Sequence, residues 1–297
     1  MNSQFYIEFE RPIIDFVLTP DQKKIVVATS HTVELFDLTS YQRDWVLSSS
    51  VFGKEPLWLV VDCEKTATAI VCCSTKDFKK QLIALSEDGG IKWKTSILSS
   101  HFQVFGDEIW WCCEDGVGHR QVINNGDIET WQVGSDTFVS TQRGWLVSIE
   151  DGVLVSTFQA ESEHYSRDLP IELNSGRELR VWFSESGKWA IVEEGIAYYA
   201  FSIPDLKCMV PVLISNRPFN ASALFTKNDR KIILAGANGG RAINFNNGHG
   251  SLEAIEFEST TQVFAFRDST NSLLLATGSS ESQNGVIQEV YLAADNC

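Results

Sequence analysis

One unit recurs seven times along the 297-residue chain: a short apolar strand, a tight polar turn, a more apolar strand and two weaker alternating strands. The first strands of these units begin near residues 13, 57, 102, 137, 179, 221 and 262, so the unit returns every 35 to 45 residues. A period of about 40–45 residues that contains four strands is the sequence signature of a propeller blade. The repeat therefore predicts an all-β, seven-bladed β-propeller.

The seventh unit is one strand short, whereas residues 4–10 precede the first unit and belong to no blade. Alternation places Phe5, Ile7 and Phe9 of this segment on one face. Because an open sheet edge exposes unpaired backbone groups, we expect the segment to pair with the last blade and close the ring. We predict one domain over residues 1–297, with blades at approximately 13–47, 57–97, 102–133, 137–169, 179–214, 221–257 and 262–292 plus 4–10.

The excess of acidic over basic residues indicates which classes of partner the chain can bind. The chain has 39 acidic and 24 basic residues and a formal net charge of -15. Binding to a phosphate backbone or an anionic membrane requires clustered Lys and Arg. We therefore expect no nucleic-acid partner and no membrane partner, whereas the charge suits a basic protein partner.

The N-terminal residues MNSQFYIEFERP have no positive n-region and no apolar h-region, so we expect no secretory signal. No apolar run approaches the ~20 residues that a membrane helix needs. Without a signal, the odd number of cysteines, seven, indicates reduced thiols. These observations predict a cytoplasmic protein.

Two blades carry a family motif. Residues 16–29 read FVLTPDQKKIVVAT and residues 32–38 read TVELFDL, and residues 225–236 of blade six, FTKNDRKIILAG, repeat the first run. The chain in this respect resembles a WD40-like propeller, with Phe36-Asp37 where that family usually has Trp-Asp. The resemblance implies a platform for other proteins, which such domains often bind through the second-to-third-strand loops and the inter-blade loops.

The second-to-third-strand loops of three successive blades carry paired carboxylates. The pairs are Glu114-Asp115, Glu150-Asp151 and Glu193-Glu194. Since these loops share one face of a propeller, the six side chains are expected to form an acidic arc that attracts a cationic partner. The alternative is that such residues serve only as good hairpin turns.

An aromatic residue and a histidine lie beside this arc in the repeat. Phe78 belongs to the long second-to-third-strand loop of blade two, and His119 follows the blade-three turn. Loops seldom hold apolar residues that neither pack nor bind, so Phe78, like Phe52 between blades one and two, either tucks onto the blades or contacts a partner. We include Phe78 and His119 in the candidate partner surface.

Cys72-Cys73 and Cys112-Cys113 occupy equivalent places in the second strands of adjacent blades. Neighbouring strand residues point to opposite faces, so one cysteine of each pair could meet the other across the blade junction. Zinc ligands are usually separated by two or more residues. The pairs are interpreted as buried reduced thiols, with a metal or redox role as the alternative.

The sequence carries no catalytic signature. The five histidines are scattered, and there is no Gly-x-Ser-x-Gly motif, phosphate loop or Rossmann glycine pattern. We predict a protein-interaction propeller that is not an enzyme and needs no cofactor or metal: a scaffold, or an inhibitor such as an immunity protein that neutralises a toxin. The alternative is a hydrolase or lactonase-like propeller with its site at the channel mouth.

Overall fold

The second strand of each repeat is apolar on both faces. Lys24–Thr29 (KIVVAT) and Ala69–Ser74 (AIVCCS) bury nearly every residue. Such a run, without polar alternation, is typical of a strand that is covered on both sides. It requires that each sheet be sandwiched between two others.

The computed structural model describes residues 5–75, 77, 79–99, 101–134, 136–150, 153–159, 163–168, 180–194, 197–213, 222–226, 229, 231–236, 239–244, 251–255, 263–277 and 284–291. Within these ranges no helix has the length and apolar character needed to cross a bilayer.

The described residues form 28 strands and one short 3-10 helix at Ser49–Val51. The first half of the chain contains β1 (Phe5–Phe9), β2 (Ile13–Leu18), β3 (Lys24–Thr29), β4 (Thr32–Asp37), β5 (Arg43–Ser48), β6 (Pro56–Val60), β7 (Ala69–Ser74), β8 (Lys80–Leu85), β9 (Ile91–Ile97), β10 (Phe102–Phe105), β11 (Glu108–Cys112), β12 (Val117–Val122), β13 (Ile128–Gln132) and β14 (Thr137–Val139). The second half contains β15 (Trp145–Glu150), β16 (Val153–Phe158), β17 (Glu163–Asp168), β18 (Arg180–Phe183), β19 (Trp189–Glu194), β20 (Ala197–Ser202), β21 (Cys208–Leu213), β22 (Ser222–Phe225), β23 (Lys231–Gly236), β24 (Gly239–Asn244), β25 (Ser251–Ile255), β26 (Phe264–Arg267), β27 (Ser272–Thr277) and β28 (Gly285–Tyr291).

These strands form seven antiparallel sheets of four strands each. Six sheets take four consecutive strands, beginning with β2, β6, β10, β14, β18 and β22. The seventh has the order β1-β28-β27-β26, so it recruits the N-terminal strand as its outer edge. The predicted seven-bladed propeller and its closure by the N-terminal strand are confirmed.

Seven hydrophobic clusters among the described residues hold the ring together, one at each junction between adjacent blades. Strand β3 shows how one strand serves two junctions. Ile25 and Val27 pack in the cluster toward blade seven, whereas Val26 and Ala28 pack in the cluster toward blade two. Side-chain alternation therefore divides a continuous apolar run between two cores.

The closing junction is tightly packed. Strand β1 pairs with β28 over five residues, with Ile7 opposite Ile287. Ile7 and Phe9 are buried, and the Phe9 ring meets the Phe36 ring of blade one edge-on at 5.3 Å. A β-carbon on Gly285 would lie 2.8 Å from the Arg11 carbonyl oxygen, so only glycine allows this close approach of blades seven and one.

A repeated hairpin defines one face of the ring. In four blades a Ser or Thr at the end of the first strand donates its N–H to the carbonyl five residues later: Thr19, Ser140, Ser184 and Thr226. The hydroxyls of Thr19, Ser184 and Thr226 accept the N–H of that same later residue. After the caps Thr19, Ser140 and Ser184, the next residue of the turn, Pro20, Thr141 and Glu185 respectively, lines the central cavity of the ring.

Candidate functional site

The blade-three turn presents the first predicted carboxylates. Glu114 and Asp115 are exposed between β11 and β12. The turn is closed by the Cys113 N–H, which donates to the Val117 carbonyl at 2.9 Å, and by the Val117 N–H, which donates to Asp115 Oδ1 at 3.2 Å. Gly116 has φ +79°, a left-handed conformation that favours glycine. The turn is therefore locally determined, and both acidic side chains face solvent.

Glu150 lies on the same face, one blade further on. It ends β15 and is exposed, and Ser148 donates a hydrogen bond to its Oε1 at 3.0 Å. The segment between the blades connects it to the blade-three turn: the Val133 N–H donates to the Gly116 carbonyl at 2.9 Å, and the Glu150 side chain lies directly over Gly134. Three predicted carboxylates, Glu114, Asp115 and Glu150, are thereby brought to one surface.

Two further residues complete this surface and were missed in the sequence. Asp136, in the inter-blade segment, is exposed, and its carbonyl accepts the Ile149 N–H at 3.1 Å. Leu98 is 60% exposed, more than any other large apolar residue that the structure describes. The Cys113 thiol approaches its carbonyl at 3.9 Å, which places Leu98 beside the blade-three turn. Both residues lie in inter-blade loops, where the sequence carries no repeated pair of carboxylates to mark them.

We call Glu114, Asp115, Asp136, Glu150 and Leu98 the acidic surface. Among the described ion pairs none involves its four carboxylates. Carboxylates on the opposite face differ in this respect. Glu108, for example, is held by Arg120 and Arg143, and Arg143 also pairs with Glu64 at 3.1 Å. The negative charge of the acidic surface is thus not neutralised within the described part of the chain.

Glu193 corrects the predicted arc. It lies inside β19 opposite Tyr198 and is only 7% exposed, because the strand continues one residue past it and both sheet faces are covered. For Glu194 the structure describes the backbone, which pairs with Ala197, and not the side chain. Asp151 and Phe78 lie outside the described residues. The exposed acidic patch is therefore described for blades three and four, and Glu193 does not belong to it.

His119 lies on a strand and not in a loop. Its ring stacks on Trp111 across β11 and β12, with centroids 4.8 Å apart and planes 8° from parallel. Burial lowers the pKa of His119 below its usual value, against the opposite effect of the Asp115 carboxylate. His119 thus packs against Trp111 on the strands that lead into and out of the blade-three turn. Phe52, in contrast, is buried at the junction of blades one and two, so it tucks back onto the blades.

The opposite face opens into the central channel. A cavity of about 320 Å³ is lined by residues from all seven blades, chiefly the ends of first strands and the turns that follow them. Its wall is aromatic: Phe16, Phe183, Phe225, Phe264 and Phe266. We call this cavity the channel pocket.

The mouth of the channel pocket is crossed by an ion pair. Lys65 Nζ of blade two lies 2.8 Å from Glu185 Oε1 of blade five. Asp268 accepts a hydrogen bond from Gln22 at 3.0 Å and donates its N–H to the same side chain, which fastens blade seven to blade one. Asp62 is buried and accepts the N–H groups of Glu64, Thr66 and Gly106 at 2.9, 3.0 and 3.2 Å. Charged groups from several blades thus converge on one opening.

The same repeat position supplies several of these groups. Thr141, Glu185 and Asp268 each occupy the first place after a first strand or its capping residue, and each lines the channel pocket. That position is the sequence signal that could have located the pocket. It was not recognised because the residue type changes from blade to blade.

The cysteines behave as buried thiols. Cys72 lies in the cluster between blades two and three, and Cys113 packs against that cluster, so one member of each pair lies at the same junction. The five cysteines whose side chains the structure describes (Cys63, Cys72, Cys73, Cys112 and Cys113) are free, and burial raises the pKa of both Cys72 and Cys112 to about 12. In the channel pocket, burial and the nearby carboxylates, Asp62 first, raise the pKa of Cys63 to about 12, and its thiol donates to Gln103 at 3.1 Å. Within the described residues no three His, Cys, Asp or Glu side chains are grouped to hold a metal ion.

The backbone is similar to a propeller of known structure. It matches the crystal structure of the Cps50 (Swd1) β-propeller domain of Myceliophteria thermophila with a TM-score of 0.70 and 14% sequence identity, over 97% of this chain and 99% of that domain. At this identity the likeness establishes the fold alone. No protein-family model matches the chain, and no curated protein matches it in sequence.

Proposed function

We propose that this propeller is a protein-binding module that holds a basic partner on the acidic surface. One observation carries the proposal: four exposed carboxylates on adjacent blades, with no cation paired to them in the described chain, lie on the same face as an exposed leucine. Turn residues that served only the hairpin would not require this grouping. Asp136 in particular lies outside the hairpin turns and still adds its charge to the same surface.

The arrangement matches the anatomy of a protein interface. Leu98 offers an apolar contact, and the carboxylates add negative charge to one side of it, beginning with the neighbouring blade-three turn. Margin charges act mainly on encounter, because complementary potentials raise the association rate, whereas a buried anchor slows dissociation. We therefore expect a partner with Lys or Arg around a small apolar recess, and association that weakens with salt as charges are screened beyond about 8–10 Å.

Two more specific functions are compatible with such a module, and they differ in the effect of binding on the partner. A scaffold would hold the partner in an assembly. An inhibitor, of which an immunity protein against a toxin is one kind, would cover the partner's working surface. We further propose a cytoplasmic location, supported by the free thiols. No arrangement of the described residues favours the hydrolase alternative.

The test uses two charge reversals in the same blade. Glu114→Lys alters the acidic surface, and Asp127→Lys alters an exposed turn on the opposite face by the same charge. Proteins captured from the native cell by the unchanged chain, by each variant and by Leu98→Ala are compared by quantitative mass spectrometry. We expect one partner to bind the unchanged chain and Asp127→Lys, and to be reduced at least tenfold with Glu114→Lys and Leu98→Ala.

Kinetics on that partner then separate the two contributions. Glu114→Lys should slow association several-fold and flatten its salt dependence, whereas Leu98→Ala should mainly speed dissociation. All three variants should melt at the temperature of the unchanged chain, since the altered side chains are exposed. Equal capture by Glu114→Lys and by the unchanged chain would show that these carboxylates are only solvated turns.

A further inference from the structure

The channel pocket has the size and the lining of a small-molecule site. Its volume of about 320 Å³ lies at the lower end of the range for such sites, and its wall combines five phenylalanines with a few polar groups. The face on which it opens is opposite to the acidic surface, because it is formed by first-to-second-strand turns. A ligand there would not compete directly with a partner on the acidic surface.

The charges around the pocket favour one sign of ligand. Asp62, Glu185 and Asp268 are the carboxylates of its described lining, and Lys65 is the one ammonium of that lining. The described lining therefore carries an excess of two negative charges. Lys227, which follows the blade-six cap in sequence, lies outside the described residues. The charge of the lining thus favours a positive ligand, and its phenylalanines offer apolar contact to alkyl groups.

Lys65 is held in place at a conformational cost. Its φ is +65°, a left-handed conformation that a β-carbon disfavours, and the residue precedes Thr66 in a turn fixed by Asp62. The Lys65 N–H donates to the Asp62 carbonyl at 3.0 Å, which sets the direction of the turn. The side chain then reaches across the channel to Glu185. While this ion pair is formed, the Lys65 ammonium neutralises the Glu185 carboxylate. When the pair opens, Glu185 presents its negative charge to the pocket.

We propose that the channel pocket binds a small organic cation, a tertiary or quaternary ammonium compound. Its alkyl groups contact the phenylalanines of the wall, and its charge faces the carboxylate of Glu185. The ligand competes with the Lys65 ammonium for Glu185, so the ion pair across the mouth opens as the ligand enters. Neither an anion nor a neutral apolar compound would gain from this exchange.

Choline and 3,3-dimethyl-1-butanol provide the test, since they have nearly the same shape and differ in charge. Binding of each to the full chain is measured by calorimetry and by ligand-observed NMR at low salt. We expect choline to bind at least tenfold more tightly than the neutral compound. Lys65→Met should tighten choline binding several-fold by freeing Glu185, and Glu185→Gln should weaken it several-fold.

Matched controls come from a surface ion pair in blade five. Lys207 and Asp205 form a pair at 2.7 Å outside the channel lining, so Lys207→Met and Asp205→Asn change the same charges without touching the pocket. These controls should bind choline as the unchanged chain does, and the melting temperature of every variant verifies its fold. The proposal is overturned by equal binding of the two compounds, by opposite effects of the Lys65 and Glu185 variants, or by choline binding to none of the folded proteins.

Discussion

Replacing Phe9 with alanine tests whether the N-terminal strand holds the ring closed. Phe9 is 5% exposed, and its ring lies in the cluster between blades seven and one, edge-on to Phe36 at 5.3 Å. The variant removes the ring contact that β1 makes with Phe36 of blade one. We expect a large loss of stability from this single change near the start of the chain.

The magnitude follows from the burial of the side chain. A buried Phe→Ala change costs about 3–5 kcal/mol, which includes the cavity that remains. At about 2.1 cal/mol/K per residue, unfolding of 297 residues carries an entropy of about 0.6 kcal/mol/K. The melting temperature should therefore fall by about 5–8 °C. A double-mutant cycle with Phe36→Ala should show a coupling of about 0.5–1.5 kcal/mol for the ring pair.

The assay is thermal and urea denaturation followed by circular dichroism and tryptophan fluorescence. Glu8→Ala is the control, because Glu8 is the exposed neighbour on the same strand and keeps the backbone pairing. It should melt within about 1 °C of the unchanged chain. If Phe9→Ala melts together with Glu8→Ala, the strand adds no packing energy and the reasoning about closure is wrong.

Two carboxylates, Glu108 and Asp15, give opposite predictions for the pH dependence of stability, measured by urea unfolding. Burial alone would raise the pKa of Glu108, but hydrogen bonds from Arg120 and Arg143 bring it down to about 2, so its stabilisation is present above about pH 4.5 and lost toward pH 2. Glu108→Gln should thus lose about 2–3 kcal/mol at neutral pH and little at pH 2. Burial raises the pKa of Asp15 from 3.8 to about 6, so its contribution is present below about pH 4 and lost as the pH rises through 6. Asp15→Asn should remove that slope and gain up to about 3 kcal/mol, relative to the unchanged chain, between pH 4 and 7; parallel curves for either pair would contradict the assignment.

The architecture was predictable because it depends on local pattern. Apolar second strands, polar turns and the missing last strand are all visible in the sequence, and even the pairing of residues 4–10 with the last blade follows from counting strands. The Glu193 position shows where local pattern fails. In the sequence Glu193 follows an apolar run, as Glu150 does. In the structure β15 ends at Glu150, whereas β19 continues one residue past Glu193 to Glu194, so Glu193 is buried within its strand.

The channel pocket could not be predicted for a different reason. Lys65 and Glu185 are 120 residues apart and belong to blades that are not neighbours. Their contact exists only once the ring is closed, because the ring diameter sets the distance between blades two and five. Asp136 and Leu98 were missed for a similar reason that involves only adjacent blades. Residues of inter-blade loops come to share a surface only when the blades pack together.

Because the closing sheet pairs the first strand with the last, it cannot form until nearly the whole chain has been synthesised. Gly285 pairs with Phe9, which the ribosome has made 276 residues earlier. At about 5–20 residues per second, β1 waits roughly 14–55 s for its partner strand to be made. During that interval Ile7 and Phe9 have no blade-seven partner to cover them, and the nascent chain carries a free, apolar strand that other chains can pair with. On polysomes, where neighbouring nascent copies present the same strand together, we expect this unpaired strand to favour aggregation.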